Sequence, residues 1–202
     1  MAAPVTLYLA RHGETDWNAA GRWQGQTDVR LNDAGRLQAR EIAGRVRAAG
    51  IRAVASSDLL RARETAEIVA DALGLVVGLV DAALRERHFG CFEGLTREEV
   101  ALRHPEAWAA HVADPGPAPP GGESRAELLG RLLPALSTAA SRLPGPLLVV
   151  MHGGSMRALL AEHVGEMPRP SSSAWPLHGI RNGHVFRVAL ADGRVVAAER
   201  VE

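Results

Sequence analysis

The chain has 202 residues, 23 basic and 23 acidic side chains, and a formal net charge of zero. That length suits one domain with a substantial core, and the charge balance gives no global signal for nucleic acid or a membrane surface. The single cysteine, Cys91, rules out an internal disulfide framework, and all 23 basic residues are arginine, which excludes a P-loop lysine and any lysine Schiff base. The start carries no charged segment followed by a leader-length apolar run, and no apolar stretch reaches membrane-spanning length. The expectation is a soluble cytoplasmic protein, a monomer or homodimer, with no nucleic-acid or membrane partner.

In chain order, Val5–Ala10 reads as a buried strand, apolar on both faces, ending in Arg11-His12-Gly13. Residues 11–31 read as an extended loop carrying Trp17, Asn18, Trp23 and Gln24. Asn32 is an N-cap for a helix with Ala39, Ile42, Ala43 and Val46 on one face, stopped by Gly50. Ile51–Ala55 is a second strand, and Ser56-Ser57-Asp58 opens a helix whose stripe is Ala62, Ala66, Val69, Ala70 and Leu73, with Gly74 as C-cap. Leu75–Val80 is a third strand. Residues 85–123 break the alternation. They hold a loop-like Arg85–Glu93, a capping box at Thr96-Arg97-Glu98-Glu99, a stop at Pro105, a turn or two around Trp108, and a Pro/Gly-rich loop from Asp114 to Gly122.

Ser124-Arg125-Ala126-Glu127 is another capping box, opening a long helix with Leu128, Leu132, Leu136 and Leu143 inward and a kink expected at Pro134. A strand Pro146–Met151 delivers His152-Gly153-Gly154, and a helix from about Ser155 to Val164 is capped by Gly165. A Ser/Pro loop then leads to a hairpin, Val185–Leu190 and Val195–Val201, turning at Asp192-Gly193. The whole reads as a three-layer α/β/α fold with a mixed, mostly parallel sheet. It is expected to be a single domain over 1–202, with 85–123 as a small helical and loop cap over the strand ends.

Two strands that each end in His-Gly are an unusual coincidence, since ligands of open α/β sheets sit beyond the carboxyl ends of strands. Arg11, His12, Arg61 and His152 all fall there or at a helix start. Arg matches phosphate geometry through a rigid fork of donors, and helix N-termini such as that after Gly153-Gly154 add backbone N–H groups and positive dipole. A neutral imidazole can attack phosphorus while a second one stabilises the transferring oxygens. An alcohol leaving group needs a proton donor. Glu86, after the third strand, suits that work because a carboxyl near a phosphate dianion has a raised pKa.

Leu9-Ala10-Arg11-His12-Gly13-Glu14-Thr15 with Trp17-Asn18 resembles the signature of the histidine phosphatase superfamily, the phosphoglycerate mutase-like proteins. The stretch from Ser57 to Ala66 around Arg61 is similar to its second motif. Leu84-Arg85-Glu86 with Phe89-Gly90 and Glu93-Gly94 resembles the third, Gly121-Gly122-Glu123-Ser124 a fourth, and Met151-His152-Gly153-Gly154 the last, all in family order. The resemblance implies a phosphohistidine on His12, with Arg11, Arg61 and His152 around the phosphoryl group. Glu86 would be acid and then base for the hydrolytic water. Asn18, Gln24 and the Gly25 and Gly153 backbones would line the phosphate and leaving-group side. No metal or diffusible cofactor is implied. The substrate would be a small-molecule phosphomonoester such as a phosphosugar or a phosphoglycerate conjugate, and the enzyme a histidine acid-type phosphatase.

Two alternatives stand beside the hydrolase: a cofactor-dependent phosphoglycerate mutase and a non-catalytic phosphate-binding regulatory module. Mutases of this family grip the substrate carboxylate with a Tyr after the catalytic Glu motif and with adjacent cap arginines. Here the matching positions hold Phe89 and Ala109-Ala110, whereas Arg97 supplies a basic group where mutases carry a lysine. Trp17 and Trp23 read as packing residues. His88, His104, His111, His163, His178 and His184 match no metal-ligand spacing. Cys91 and Arg97 have the Cys-five-residues-Arg spacing of cysteine phosphatases, but Glu93 would place negative charge in that loop, so Cys91 reads as a packing residue.

Overall fold

The computed structural model describes residues 4–164, 179–191 and 193–202. The expected cap at Gly165, the Ser/Pro loop, His178 and Asp192 lie outside them, as does the side chain of His163. Six strands form one sheet: β1 (Val5–Arg11), β2 (Ala53–Ser56), β3 (Val77–Val80), β4 (Leu147–Met151), β5 (Val185–Ala191) and β6 (Arg194–Val201). Their order is β3-β2-β4-β1-β5-β6. The first four run parallel, and β5 and β6 add antiparallel partners.

The central strands are buried on both faces, which explains their unbroken apolar runs. Side chains alternate along a strand, and the core divides accordingly. Leu7, Leu9, Leu147, Val149 and Met151 pack into one cluster, with Leu128, Leu132 and Leu136 of the helix α6 (Arg125–Arg142) and Leu159 of α7 (Gly153–Val164). Ala10, Leu148 and Val150 face the other way, onto Ile42 and Val46 of α2 (Asp33–Val46) and Ala62, Ala66 and Val69 of α3 (Leu60–Leu73). The three layers follow directly. Each fully buried Leu of α6 contributes about 1.5–3 kcal/mol.

Several local signals act as the residues dictate. The Asn32 side chain accepts from Gly35 N–H, and Thr96 and Ser124 each form a complete capping box, the first opening α4 (Arg97–Arg103). Gly50 and Gly74 both turn left-handed at helix ends. Four details differ from the sequence reading. The second and third strands begin two residues later than expected, at Ala53 and Val77. α3 is capped at Leu59 with no side-chain bond, because Ser57 Oγ accepts from Leu59 N–H one step before the helix. The 11–31 loop contains a short helix, α1 (Asp16–Ala19), closed by a Thr15–Asn18 capping box in which Asn replaces the usual Glu or Gln. α6 runs through Pro134 as one element. In the 85–123 segment, α4 and α5 (Pro105–Ala113) enclose a third cluster of Phe89, Phe92 and Val100, joined by Trp23, Trp108 and Cys91.

Candidate active site

In the parallel register Arg11 stands opposite Met151, so the next residues, His12 and His152, leave neighbouring strand ends side by side. The ladder continues one step further, with His12 N–H donating to the Met151 carbonyl at 3.0 Å. The two rings are 5.2 Å apart. His12 Nδ1 lies 2.6 Å from the Gly13 carbonyl. A carbonyl only accepts, so Nδ1 carries the proton and Nε2 presents a lone pair. Arg61 Nε donates to that Nε2 at 3.3 Å, while its terminal nitrogens donate to the carbonyls of Thr27 and Gly25. Arg61 is fully buried in the first turn of α3. Arg11 donates through NH1 to the Ile180 carbonyl, leaving Nε buried with no partner among the described residues.

Burial sets the charges of this group. It pushes Arg11 and Arg61 down to about 10, Arg11 with help from Arg157 and against the pull of Glu86, so both remain cations at neutral pH. His12 is held well below its ordinary value by burial and then by Arg61 and Arg11. His152 is held low by burial, Arg61 and His12. The pair is therefore neutral, with two cations beside it: a setting for an anion and a nucleophile together.

A pH dependence follows. Below about pH 6.5 the unfolded chain takes up two protons that the folded imidazoles refuse, so stability is fully present above 6.5 and is lost as pH falls toward the depressed folded values. Each histidine gives a slope of about 1.4 kcal/mol per pH unit in that window. Urea unfolding at pH 7.5, 6.5 and 5.5 should show the loss, and His152→Asn should remove one histidine's share. An unchanged slope in that variant contradicts the assignment.

Glu86 is held by α7. Oε2 accepts from Gly154 N–H at 2.7 Å, and Oε1 accepts from Ser155 N–H at 2.7 Å, Ser155 Oγ at 3.0 Å and Arg87 N–H at 2.8 Å. The helix start expected to face the phosphate thus spends two of its amides on the carboxylate, and α7 begins at Gly153 rather than Ser155. Gly154 is required here, since a Cβ would stand 2.6 Å from Glu86 Oε1. Glu123 and Arg131 brace the same segment: Arg131 pairs with Glu123 and donates to the carbonyls of Ala83, Arg85 and Glu86. Arg87 donates to the Glu123, Pro115, Gly116 and Pro117 carbonyls, tying down the Pro/Gly loop.

Arg11, His12, Asn18, Gln24, Gly25, Arg61, Glu86 and Arg97 all line one cavity of about 180 Å³. His152 and Gly153 do not line it; His152 is fully buried beside His12. Asn18 commits Oδ1 to Thr15 and to Asn182 Nδ2. Among the described residues Gln24 Oε1 is buried without a partner, as are both ring nitrogens of His152. Orphaned buried polar atoms cost about 1–3 kcal/mol each, and among the described residues they concentrate at this one place. Gly25 adopts φ +50°, and a Cβ would stand 1.8 Å from Glu93 Oε1, the carboxylate that accepts from Gln26, Thr27 and Phe89 N–H. Arg97 is exposed at the first turn of α4, with no ion pair or hydrogen bond among the described residues.

Three residues escaped the sequence reading. Ser155 and Arg157 sit on the helix after the last motif, and their only signal is that position. Asn182, in an Asn-Gly turn before β5, donates to the His12 and Gly13 carbonyls and to Asn18. Trp23 both packs and lines the cavity, more than the packing role expected of it. Cys91 sits in the aromatic cluster with its thiol pushed up by burial, the reverse of an activated nucleophile. Among the described residues no three His, Cys, Asp or Glu side chains gather as metal ligands, and no helix is long and apolar enough to cross a membrane.

The fold and this cavity together define a histidine-based phosphoryl-transfer protein. The chain belongs to the histidine phosphatase superfamily, the description of whose branch 1 matches residues 7–201. It is 42% identical over 191 residues to phosphoglycerate mutase-like protein 4 of Arabidopsis thaliana, covering 93% of this chain and 80% of that one. It is 41% identical over 157 residues to the metal-independent phosphoserine phosphatase of the same plant, covering 76% and 66%. A mycobacterial glucosyl-3-phosphoglycerate phosphatase complexed with VO3 superposes with a TM-score of 0.78 at 32% identity, over 98% of this chain and 97% of that one. A probable phosphoglycerate mutase of Erwinia tasmaniensis is 40% identical over 202 residues, covering 95% and 91%.

Proposed function

We propose that this chain is a phosphomonoester hydrolase that works through a phosphohistidine on His12 and acts on small phosphorylated metabolites. The observation that carries the reading is the Nε2 lone pair of a buried, neutral imidazole, with Nδ1–H fixed on the Gly13 carbonyl, beside the buried Arg61 and half-buried Arg11 guanidiniums. Nε2 attacks phosphorus and the ester P–O bond breaks. Its electron pair leaves on the alcohol oxygen, which takes a proton from Glu86. The ring then holds phosphorus on Nε2 and hydrogen on Nδ1, a cation steadied by the Gly13 carbonyl. In the second half Glu86 takes a proton from water, the water oxygen bonds to phosphorus, and the P–N pair returns to Nε2. Arg11 and Arg61 offset the charge on the transferring oxygens, with His152 behind His12. Asn18, Gln24 and Gly25 border the phosphate.

In this reading residues 1–202 form one domain with 85–123 as its cap, acting in the cytoplasm as a monomer or homodimer on a small molecule. The relatives named as mutases favour a second reading, exchange between phosphoglycerates. The positions that grip a carboxylate in mutases speak against it: Phe89, on the cavity, has no hydroxyl, and Ala109 and Ala110 are exposed and uncharged. A mutase must hold its product until the phosphoryl group returns. Arg97 of α4 and Arg157 of α7 both line the cavity, but they stand on separate helices and not as an adjacent cap pair, so each grips alone, and a single charged contact contributes roughly 1.5–3 kcal/mol. The purified chain should release inorganic phosphate and show no exchange between 3- and 2-phosphoglycerate, even primed with bisphosphoglycerate. Arg97→Ala should raise KM for a carboxylate-bearing substrate severalfold more than for a neutral one. Mutase turnover equal to phosphatase turnover overturns the hydrolase reading.

A further inference from the structure

The catalytic cavity is small for a whole ligand, about 180 Å³ against the ~300–1,000 Å³ typical of small-molecule pockets. A second cavity of about 510 Å³ adjoins it, and the two share Trp23, Phe89, Arg97 and Arg157 as common walls. Beyond that neck the lining is more apolar than in the catalytic cavity, with Pro115 of the cap, Leu128 of α6 and Ala158 and Ala161 of α7, and the His111 ring beside them. Trp23 is held in place there: its ring meets Phe89 edge-on at 4.6 Å and Phe92 at 5.8 Å. Arg87 also borders this space, but its guanidinium is committed to four carbonyls. Arg125, another neighbour, reaches the Ala158 carbonyl at 3.5 Å.

We propose that the second cavity is a subsite for the body of the leaving group, and that it selects phosphomonoesters whose alcohol carries an apolar chain or ring. This rests on the hydrolase reading. With a phosphoryl group seated at His12, an alcohol longer than two or three carbons outgrows the first cavity and runs past the joined Trp23 and Phe89 rings, on the side of Arg97 and Arg157, into the second. The small side chains of Ala158 and Ala161 leave the room that the chain occupies, and Trp23 of the 11–31 loop with Phe89 of the cap supplies the aromatic wall. The cap thereby acts in specificity as well as in covering the strand ends.

Ethyl and hexyl phosphate test this directly, because their alcohols have the same acidity and differ only in four methylenes. Burying two of the four accounts for a preference of about tenfold. Wild-type kcat/KM should favour hexyl phosphate at least tenfold. Ala161→Phe, at a half-buried wall position, should bring the hexyl-to-ethyl ratio close to one, and Ala158→Leu should lower it in part. The ratio is measured on one preparation, so it does not depend on the fraction that folds. A wild-type ratio near one, with both esters hydrolysed, shows the chain lying in solvent and overturns the subsite while leaving the hydrolase standing. A ratio that survives in both variants also overturns the subsite. Failure to hydrolyse either ester, or phenyl phosphate, overturns the hydrolase reading and the subsite with it.

Discussion

His12→Ala lowers turnover of every phosphomonoester by roughly 10⁴-fold or more, the scale on which removal of a covalent nucleophile acts. The variant keeps Arg11, Arg61 and Glu86, so affinity for inorganic phosphate persists while chemistry is lost. His152→Ala should cost less. His152 does not line the cavity, and its neutral ring stands 5.2 Å from that of His12. Cys91→Ser should leave turnover near wild type, since Cys91 packs among Phe89, Phe92 and Trp108 rather than on the cavity. Steady-state kinetics on phenyl phosphate separates the three. A His12→Ala enzyme within tenfold of wild type contradicts the assignment of the nucleophile.

Glu86→Gln slows alkyl or sugar phosphates by about 10²–10⁴-fold, the usual range for general acid assistance, and slows an activated aryl phosphate far less. A nitrophenolate leaves without a proton, whereas an alkoxide does not. The structure adds a second consequence. All four donors around Glu86 point at its oxygens, and the amide nitrogen of Gln would face either Gly154 N–H or the N–H groups of Ser155 and Arg87. One donor then confronts another, and α7 shifts at its start. The aryl substrate measures that disturbance by itself, and the difference between the two substrates isolates proton transfer. Equal losses on both would mean that Glu86 positions the site rather than delivering a proton.

The parts of this site written into the sequence are those fixed by short-range rules. Two apolar runs that end in His-Gly announce buried strands with chemistry at their carboxyl ends. Asn32, Thr96 and Ser124 announce helix starts, since an N-cap is decided within four residues. The parts that were not legible are pairings across distance. Nothing local ties Glu86 to Gly154 and Ser155, 68 and 69 residues on, or Asn182 to His12, 170 residues back. Those bonds exist because β4 lies between β2 and β1 and starts α7 beside the Arg85–Glu86 segment that follows β3, and because β5 pairs with β1 and carries Asn182 to its end. Helix α1 escaped for a different reason: Asn18 closes its capping box in place of Glu or Gln, and four residues are too few to show a period. The side-by-side histidines needed both kinds of information, the strands from sequence and the register from the sheet.

During turnover a phosphoryl group should be carried covalently on His12. The direct measurement is to mix the enzyme with a substrate labelled in its phosphoryl group, quench within a turnover, and map the label by peptide. One label per chain is expected on the peptide containing His12, stable to alkali and released by acid as a phosphoramidate is, and absent from His12→Ala. Label on the Cys91 peptide, or acid-stable label on a serine, contradicts it.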